Sequence, residues 1–190
     1  MEYDIFKNLV LYIIKNCHEV GKFKLIKALY FIDCTYYGLH KKSLTGVTHY
    51  IKKESGPVLD KDYDEELIKI LGSDIIKCEI GYKDDASYSI NEDKYNESNS
   101  FLKNEMEKIV NSVLMFIKGK TEKELSNLTH GKSWHSKKIG EKIFFDEVVE
   151  VKIEILKPEE EDYSRLDEPL FIEEMVKDMN NDNAFNRIFK

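Results

Sequence analysis

The chain has 190 residues, of which 42% are hydrophobic and 12% aromatic, which fits one globular domain with a sizeable core. Charged residues make up 34%, with nine glycines and three prolines, which excludes a collagen-like or low-complexity chain. The net charge of −7 has the wrong sign for a general nucleic-acid coat. The longest apolar run, Leu9 to Ile14, is far shorter than the ~20 residues of a membrane helix.

The beginning of the chain and its cysteines predict a cytoplasmic protein. Acidic Glu2 and Asp4 follow Met1, whereas a signal peptide begins with basic residues. The three cysteines are widely spaced, which favours reduced and mostly buried thiols over disulfides or a zinc site. We therefore expect a protein without a membrane segment, a metal or another cofactor.

Charge is distributed unevenly along the sequence. Residues 1–58 carry nine lysines against five acidic residues, a net charge of +4, whereas residues 141–190 carry a net charge of −8. Segments of opposite charge attract each other or face different partners. A solvated surface with uneven lysine and glutamate usage explains the pattern as well.

The first third of the sequence predicts two helices and an extended segment. Apolar residues recur every three or four positions over 4–17 and again over 22–37. Helices joined by so few residues should pack as an antiparallel pair, and Gly38 should end the second one. Residues 44–53 are partly β-branched and aromatic, and residues 55–57 close that segment as a turn.

The middle of the sequence predicts a short helix followed by a β-hairpin. Asp60 or Asp62 can cap a helix that runs to Leu71. Residues 75–82 and 86–90 have the composition of two short strands joined by a polar turn.

The remaining sequence predicts three more helices. Residues 101–118 form a clear amphipathic pattern, Thr121 and Glu124 form a capping box that begins a helix through Leu128, and a short helix should cover 133–142.

After the helix predicted over 133–142, the spacing of apolar residues becomes less regular. Residues 148–155 fit a strand or an extended arm, and residues 170–179 are weakly amphipathic. We expect an α+β fold that is mainly α, with a compact helical domain and a small antiparallel β element. Residues 1–156 should form this domain, and residues 157–190 an acidic, partly helical C-terminal extension.

The residues do not predict a catalytic centre. His130 and His135 flank Trp134, but zinc needs three or four convergent ligands, and nearby cysteines are lacking. The pattern favours His130 as the cap of a turn and Trp134 as a core residue. A metal-dependent enzyme centred on His130 is the rival interpretation.

Lysines and aromatic residues over 22–53 can make a stacking groove for nucleic acid. Their helical spacing favours a place in the core, so we expect no nucleic-acid partner.

Three stretches of the sequence resemble a known family when they are taken together. The first, Lys24-Leu25-Ile26-Lys27-Ala28-Leu29-Tyr30-Phe31-Ile32-Asp33, is similar to a helix motif of Lys-Leu-x-Lys-Leu-Leu-Tyr type. The second, Tyr50 followed after five residues by Gly56-Pro57-Val58, is similar to a Gly-Pro-Val turn after a short extended segment. The third, Leu128-Thr129-His130 with Trp134, followed by Gly140-Glu141-Lys142-Ile143, is similar to a Leu-Ser/Thr-His…Trp motif and the Gly-x-x-Ile after it. In this order they resemble the Panacea domain, also called SocA-like or GepA-like, over roughly residues 5–145.

The resemblance implies that the motif residues hold the fold together, while the residues that contact a partner stay unassigned. These family-motif residues are Lys24, Leu25, Leu29, Tyr30, Gly56, Pro57, Val58, Thr129, His130 and Trp134. Leucine appears in the family where this chain has Ala28, which is a departure from the motif.

The resemblance further implies the antitoxin half of a bacterial or phage-associated toxin–antitoxin pair. Such a protein is not an enzyme, since it neutralises a cognate protein toxin by binding it. A role as an adaptor that hands the toxin to a protease, such as a Clp-type complex, stays open. The alternative within the same resemblance is a phage-associated regulatory protein that has no toxin.

Overall fold

The structure, a computed structural model, describes residues 2–17, 20–81, 85–95 and 104–148. These residues form a mainly helical α+β fold with two small antiparallel sheets, which confirms the predicted fold class. The helices are α1 (Glu2–Cys17), α2 (Lys22–His40), α3 (Lys61–Leu71), α4 (Asn104–Ile117), α5 (Glu122–Leu128) and α6 (Lys132–His135). The strands are β1 (Val20–Gly21), β2 (His49–Lys53), β3 (Gly56–Val58), β4 (Ile76–Ile80), β5 (Ala86–Ile90) and β6 (Lys142–Phe144).

Helix α2 runs through the centre of the domain. Every residue from Leu25 to Tyr36 is buried, including the polar Lys27, Asp33 and Thr35. The helix packs against α1, α4 and α5 and against strands of both sheets. The predicted helix pair is therefore present, but α2 is covered on all its sides, whereas one apolar stripe would leave a face in water.

The C-terminal end of α2 differs from the prediction. The helix continues past Gly38 to His40, and Lys41 adopts the left-handed conformation with φ 57°. The Lys41 N–H donates a 2.9 Å hydrogen bond to the carbonyl oxygen of Tyr37. The prediction that Gly38 ends the helix is wrong, because Lys41 takes the conformation that a glycine usually supplies at a helix end.

The first sheet has the strand order β1-β5-β4. Strands β4 and β5 form the predicted hairpin, with Ile76 opposite Ile90. Val20 and Gly21, between the first two helices, add a strand that pairs antiparallel with β5. A two-residue strand is too short to show alternation, so no pattern in the sequence marks it.

The second sheet has the order β3-β2-β6, and its hairpin is shifted from the predicted turn. Gly56 and Pro57 lie in β3, where they pair with Lys53 and Lys52 of β2. The turn itself falls one step earlier, at residues 54–55. The predicted extended segment 44–53 contributes only its last five residues as a strand.

The third strand of this sheet replaces the end of a predicted helix. Helix α6 ends at His135, so the predicted helix over 133–142 is wrong beyond its first turn. Gly140 has φ +88°, and its N–H donates a 2.9 Å hydrogen bond to the carbonyl oxygen of Lys52. This bond draws the chain alongside β2, where Ile143 pairs with Tyr50.

The predicted caps of α3 and α5 are present. The Asp60 side chain accepts a 3.1 Å hydrogen bond from the backbone N–H of Tyr63. The Thr121 N–H donates to Glu124 at 2.7 Å, and the Glu124 N–H donates to the Thr121 hydroxyl at 3.3 Å. These bonds satisfy N–H groups that a helix start leaves without a partner within the helix.

Several predicted segments lie wholly or partly outside the described residues. They are the start of the helix over 101–118, the strand or arm over 148–155, the amphipathic stretch over 170–179 and the extension over 157–190. Among the helices that are described, none combines the length and the apolar character needed to cross a bilayer.

Candidate functional site

The three motif stretches of the sequence meet around Gly56. This residue has φ +99°, and a Cβ there would collide with Thr129 and lie 2.7 Å from Lys27 Nζ and 3.5 Å from His130 Nε2. Only glycine leaves room for these groups and adopts this backbone conformation without strain. We call the cluster of Lys27, Gly56, Pro57, Thr129, His130 and Trp134 the motif junction.

Lys27 anchors the junction from the central helix. Its side chain is 1% exposed, and Nζ donates a 2.8 Å hydrogen bond to the carbonyl oxygen of Pro57. Nζ also lies 5.0 Å from the centre of the Phe23 ring. Burial lowers the pKa of Lys27 to about 7, because the charged ammonium loses its hydration.

Thr129 and His130 pin the end of α5 to the turn between β2 and β3. Thr129 is wholly buried, and its hydroxyl donates to the carbonyl oxygen of Ser126 at 2.8 Å. The Ser126 hydroxyl donates to the carbonyl oxygen of Ser55 at 3.1 Å and lies 3.3 Å from His130 Nε2. His130 also hydrogen-bonds the backbone of Glu54. The His130 ring is therefore held inside the domain by Ser126 and by the backbone of Glu54.

The electrostatic environment of His130 disfavours its charged form. Burial lowers its pKa, and the nearby cations Lys27, His135 and Lys52 lower it further, against the backbone hydrogen bond that raises it.

Trp134 closes the junction at the surface rather than in the core. Its ring stacks on His130 with centres 3.8 Å apart, and Lys52 Nζ lies 3.8 Å from the ring centre. Two groups this close cannot share one face, so the indole lies between them. The indole N–H donates a 3.0 Å hydrogen bond to the carbonyl oxygen of Lys53. Trp134 is half-buried, which differs from the prediction of a core residue, because the short α6 places its ring between His130 and Lys52 at the edge of the second sheet.

The other motif residues lie close by but have different surroundings. Leu25 and Leu29 are wholly buried in the core, and the ring of Tyr30 packs edge-on against Tyr50 with centres 5.1 Å apart. Lys24 is half-buried on α2. Val58 is half-buried and faces an open groove.

Asp33 organises a second buried polar cluster that the sequence analysis missed. One carboxylate oxygen accepts hydrogen bonds from the N–H groups of Leu44 and Thr45, both at 2.9 Å. The other accepts from the hydroxyls of Thr45 at 2.6 Å and Tyr50 at 2.9 Å. Burial raises the pKa of Asp33 to about 6, against these hydrogen bonds, which lower it. An acidic residue inside an otherwise apolar helical stretch was the available signal.

The groove lies between the second sheet and the first turns of α2 and α3, with a volume of about 770 Å³. Its apolar lining is Ile26, Ile51, Val58 and Leu59. Its charged lining is Lys22, Lys53, Lys61, Lys142, Asp60, Asp62 and Asp64. Ile26 and Val58 belong to two of the motif stretches, so the same motifs that build the junction also build this groove.

The arrangement does not resemble a metal centre. Within the described ranges, no group of three or more histidine, cysteine, aspartate or glutamate residues is placed to hold a metal ion. His130 stacks on the Trp134 ring, whereas the neighbouring His135 meets the indole edge-on at 5.0 Å.

Comparison with known proteins identifies one similarity. The family model described as antitoxin SocA-like, Panacea domain, matches residues 25–135, which is more than half of the chain and includes every residue of the motif junction. Neither the curated proteins nor the solved structures compared with the chain give a match.

Proposed function

The chain belongs to the antitoxin SocA-like Panacea domain family, and from this membership we propose that it neutralises a cognate protein toxin by binding it directly. The match over residues 25–135 is the observation that carries this proposal. Under this proposal the chain is the antitoxin of a toxin–antitoxin pair and has no catalytic role.

The chemistry of the motif junction supports a binding role. The polar side chains of the junction form hydrogen bonds within the domain, as seen for Lys27, Thr129, His130 and Trp134. A catalytic group must instead reach the atom on which it acts. The junction therefore fastens α2, the β2–β3 hairpin and α5 together, and it gives the surface beside it a fixed shape.

The groove is the surface that this proposal assigns to the toxin. It is open, its apolar lining residues are buried or half-buried, and lysines and aspartates lie around them. A Lys22–Asp64 ion pair of 2.8 Å joins the two helices on its rim. An apolar centre with a charged rim is the usual composition of a protein interface.

The acidic C-terminal part of the chain is a second proposed contact. We assign the toxin-binding domain to residues 1–156 and an acidic extension to residues 157–190. The net charge of −8 over 141–190 favours a toxin with a basic surface. Opposite charges speed association, and salt screens exposed charges beyond about 10 Å near 0.1 M, so association should slow as salt rises.

Delivery of the bound toxin to a protease is a finer form of the same proposal. An adaptor would lower the amount of toxin in cells that contain the protease, whereas a simple antitoxin would leave that amount unchanged.

Co-expression with the adjacent open reading frame tests the proposed function. We expect the neighbouring product to arrest growth alone, growth to recover when this chain is present, and the two proteins to purify together. A neighbour that is harmless alone, or that stays toxic beside an excess of this chain, would contradict the antitoxin proposal. A harmless neighbour would favour the phage-associated regulatory alternative.

Charge reversal in the groove tests the proposed surface. Lys53→Glu and Lys61→Glu change exposed lysines on two walls of the groove, and Lys123→Glu on α5 is the matched control. We expect the groove variants to lose rescue and the control to keep it. Rescue that survives both groove changes but fails on truncation after Lys157 would move the contact to the acidic extension.

A further inference from the structure

Strand β4 leaves one of its edges unpaired. It bonds β5 along one edge, and among the described residues no strand pairs with the other. Lys77, Cys78, Glu79 and Ile80 are all exposed, and Ile80 is 73% exposed. An open strand edge offers backbone groups for pairing with another chain.

The hydrogen bonds at the two ends of the hairpin show which backbone groups face outwards. The Asn91 N–H donates to the carbonyl oxygen of Ile75, and the Gly81 N–H donates to that of Asp85, both at 2.8 Å. Residues of an antiparallel pair alternate between bonding their partner strand and facing away from it. Lys77 and Glu79 therefore bond β5, and the backbone groups of Cys78 and Ile80 point to the open edge.

The side chains of β4 divide between two faces. Because successive residues alternate, Lys77 and Glu79 lie on one face, and Ile76, Cys78 and Ile80 lie on the other. Opposite the charged pair on β5 stand Ser89 and Ser87, so that face is wholly polar. Ile76 is buried against the domain, but the same apolar face is uncovered at Ile80.

The short strand is self-complementary in one register. If two copies pair antiparallel about a twofold axis at Cys78, Lys77 of each copy lies opposite Glu79 of the other. A register centred on Lys77 or on Glu79 would instead place like charges opposite each other, which destabilises a sheet. In the Cys78 register the Cys78 backbone groups of the two copies bond each other, and the Ile80 N–H faces the carbonyl oxygen of Ile76 in the second copy, whose N–H already donates to Ser73.

We propose that this chain forms a homodimer by twofold antiparallel pairing of β4 with β4 of a second copy, centred on Cys78. The two three-stranded sheets become one six-stranded sheet across the dimer axis. This inference is independent of the toxin proposal, since it rests on the β4 edge and not on the family or the groove.

Charge reversal tests both the dimer and its register. The full chain should sediment with twice the 22.3 kDa mass of one copy. Lys77→Glu and Glu79→Lys each turn two attractive cross-strand pairs into repulsive ones and should weaken the dimer at least about tenfold. The double variant K77E/E79K exchanges the charges and should restore it. Both positions are exposed, so circular dichroism should show that all three variants fold.

Oxidation at Cys78 supplies a second measurement. Directly opposed residues of a hydrogen-bonded pair lie about 5.5 Å apart at Cα, within the range of a disulfide. Mild oxidation with diamide, which takes up the two thiol hydrogens, should link the copies in the wild type and not in Cys78→Ser.

A wild type that is monomeric over a dilution series, or a dimer that both single reversals leave intact, would overturn the proposal. A monomer whose Ile80→Lys variant loses toxin binding would overturn it in favour of the toxin at this edge.

Discussion

Lys27 Nζ lies 2.8 Å from the carbonyl oxygen of Pro57, and this bond joins the central helix to strand β3 across thirty residues of sequence. In the folded protein the Lys27 ammonium loses its hydration and instead contacts one carbonyl oxygen and the nearby Phe23 ring. Removing a charge from water is costly, and the pKa of about 7 reflects that cost. The bond therefore holds the junction together while it makes the stability of the fold depend on pH.

Replacement of Lys27 by Met should remove this pH dependence. The folded pKa of about 7 lies below the ordinary value of 10.5, so between these values the unfolded chain binds the extra proton. Raising the pH through this window therefore stabilises the folded wild type, by up to about 1.4 kcal/mol per pH unit. Urea unfolding at several pH values should show the wild type gaining stability relative to Lys27→Met as the pH rises.

The matched control is Lys24→Met, which removes a half-buried lysine from the same helix without touching the junction. A difference between wild type and Lys27→Met that stays flat over the window would mean that Lys27 remains protonated in the folded protein.

The core prediction concerns Leu29, which is wholly buried on α2. Leu29→Ala removes apolar contacts and leaves a cavity, so the free energy of unfolding should fall by about 2–5 kcal/mol. Leu39→Ala on the same helix is the control, because Leu39 is 50% exposed and should lose less than about 0.5 kcal/mol. Denaturant melts measure both, and equal losses would contradict the assigned core.

Two substitutions of Asp33 separate its charge from its hydrogen bonds. Asp33→Asn keeps an oxygen for the N–H groups of Leu44 and Thr45, and its amide can donate to the hydroxyls once they rotate. Asp33→Ala leaves all four donors without an acceptor. We expect alanine to cost at least about 3 kcal/mol and asparagine clearly less.

The Asp33→Asn variant should also remove a pH dependence of the opposite sign. The folded pKa of about 6 lies above the ordinary value of 3.8, so the folded protein binds the proton more tightly. Stability of the wild type relative to the variant should therefore fall as the pH rises from about 4 to about 6 and stay constant above that. A relative stability that rises over this window would mean that the hydrogen bonds outweigh burial.

Local patterns predicted the elements whose causes lie within a few residues. The spacing of apolar residues predicted α1 and α2, and the capping box at Thr121 predicted the start of α5, because caps and periodicity are properties of short segments. Strand β6 was missed because its hydrogen bonds come from β2, about ninety residues earlier. A strand of three residues shows no alternation of its own.

The sequence predicted which residues belong to the motifs of the junction, but it did not predict that they lie next to each other. The motif residues could be named from the sequence, yet their meeting at Gly56 depends on how α5 packs against the β2–β3 turn. Asp33 ends the first motif stretch, but its donors come from a loop and from β2, so only the folded chain shows why an acid is buried there.

The last prediction uses Trp134, the single tryptophan, as a reporter of His130. The two rings stack at 3.8 Å, and a protonated imidazole in such contact quenches indole emission. Burial and nearby cations lower the pKa of His130 below the ordinary histidine value of 6.5. The emission of Trp134 should therefore drop as the pH is lowered, with a midpoint below pH 6.5. The drop should vanish in His130→Gln and persist in His135→Gln, since His135 meets the indole only edge-on.

The same fluorescence separates the structural role of His130 from a metal site. The His130 ring already bonds Ser126 and the backbone of Glu54, so added zinc should leave the emission of Trp134 unchanged. Stoichiometric zinc binding that disappears in His130→Ala would contradict this expectation. It would show that the ring can leave its partners at Ser126 and Glu54 for a metal, and it would favour the metal-dependent enzyme over the antitoxin.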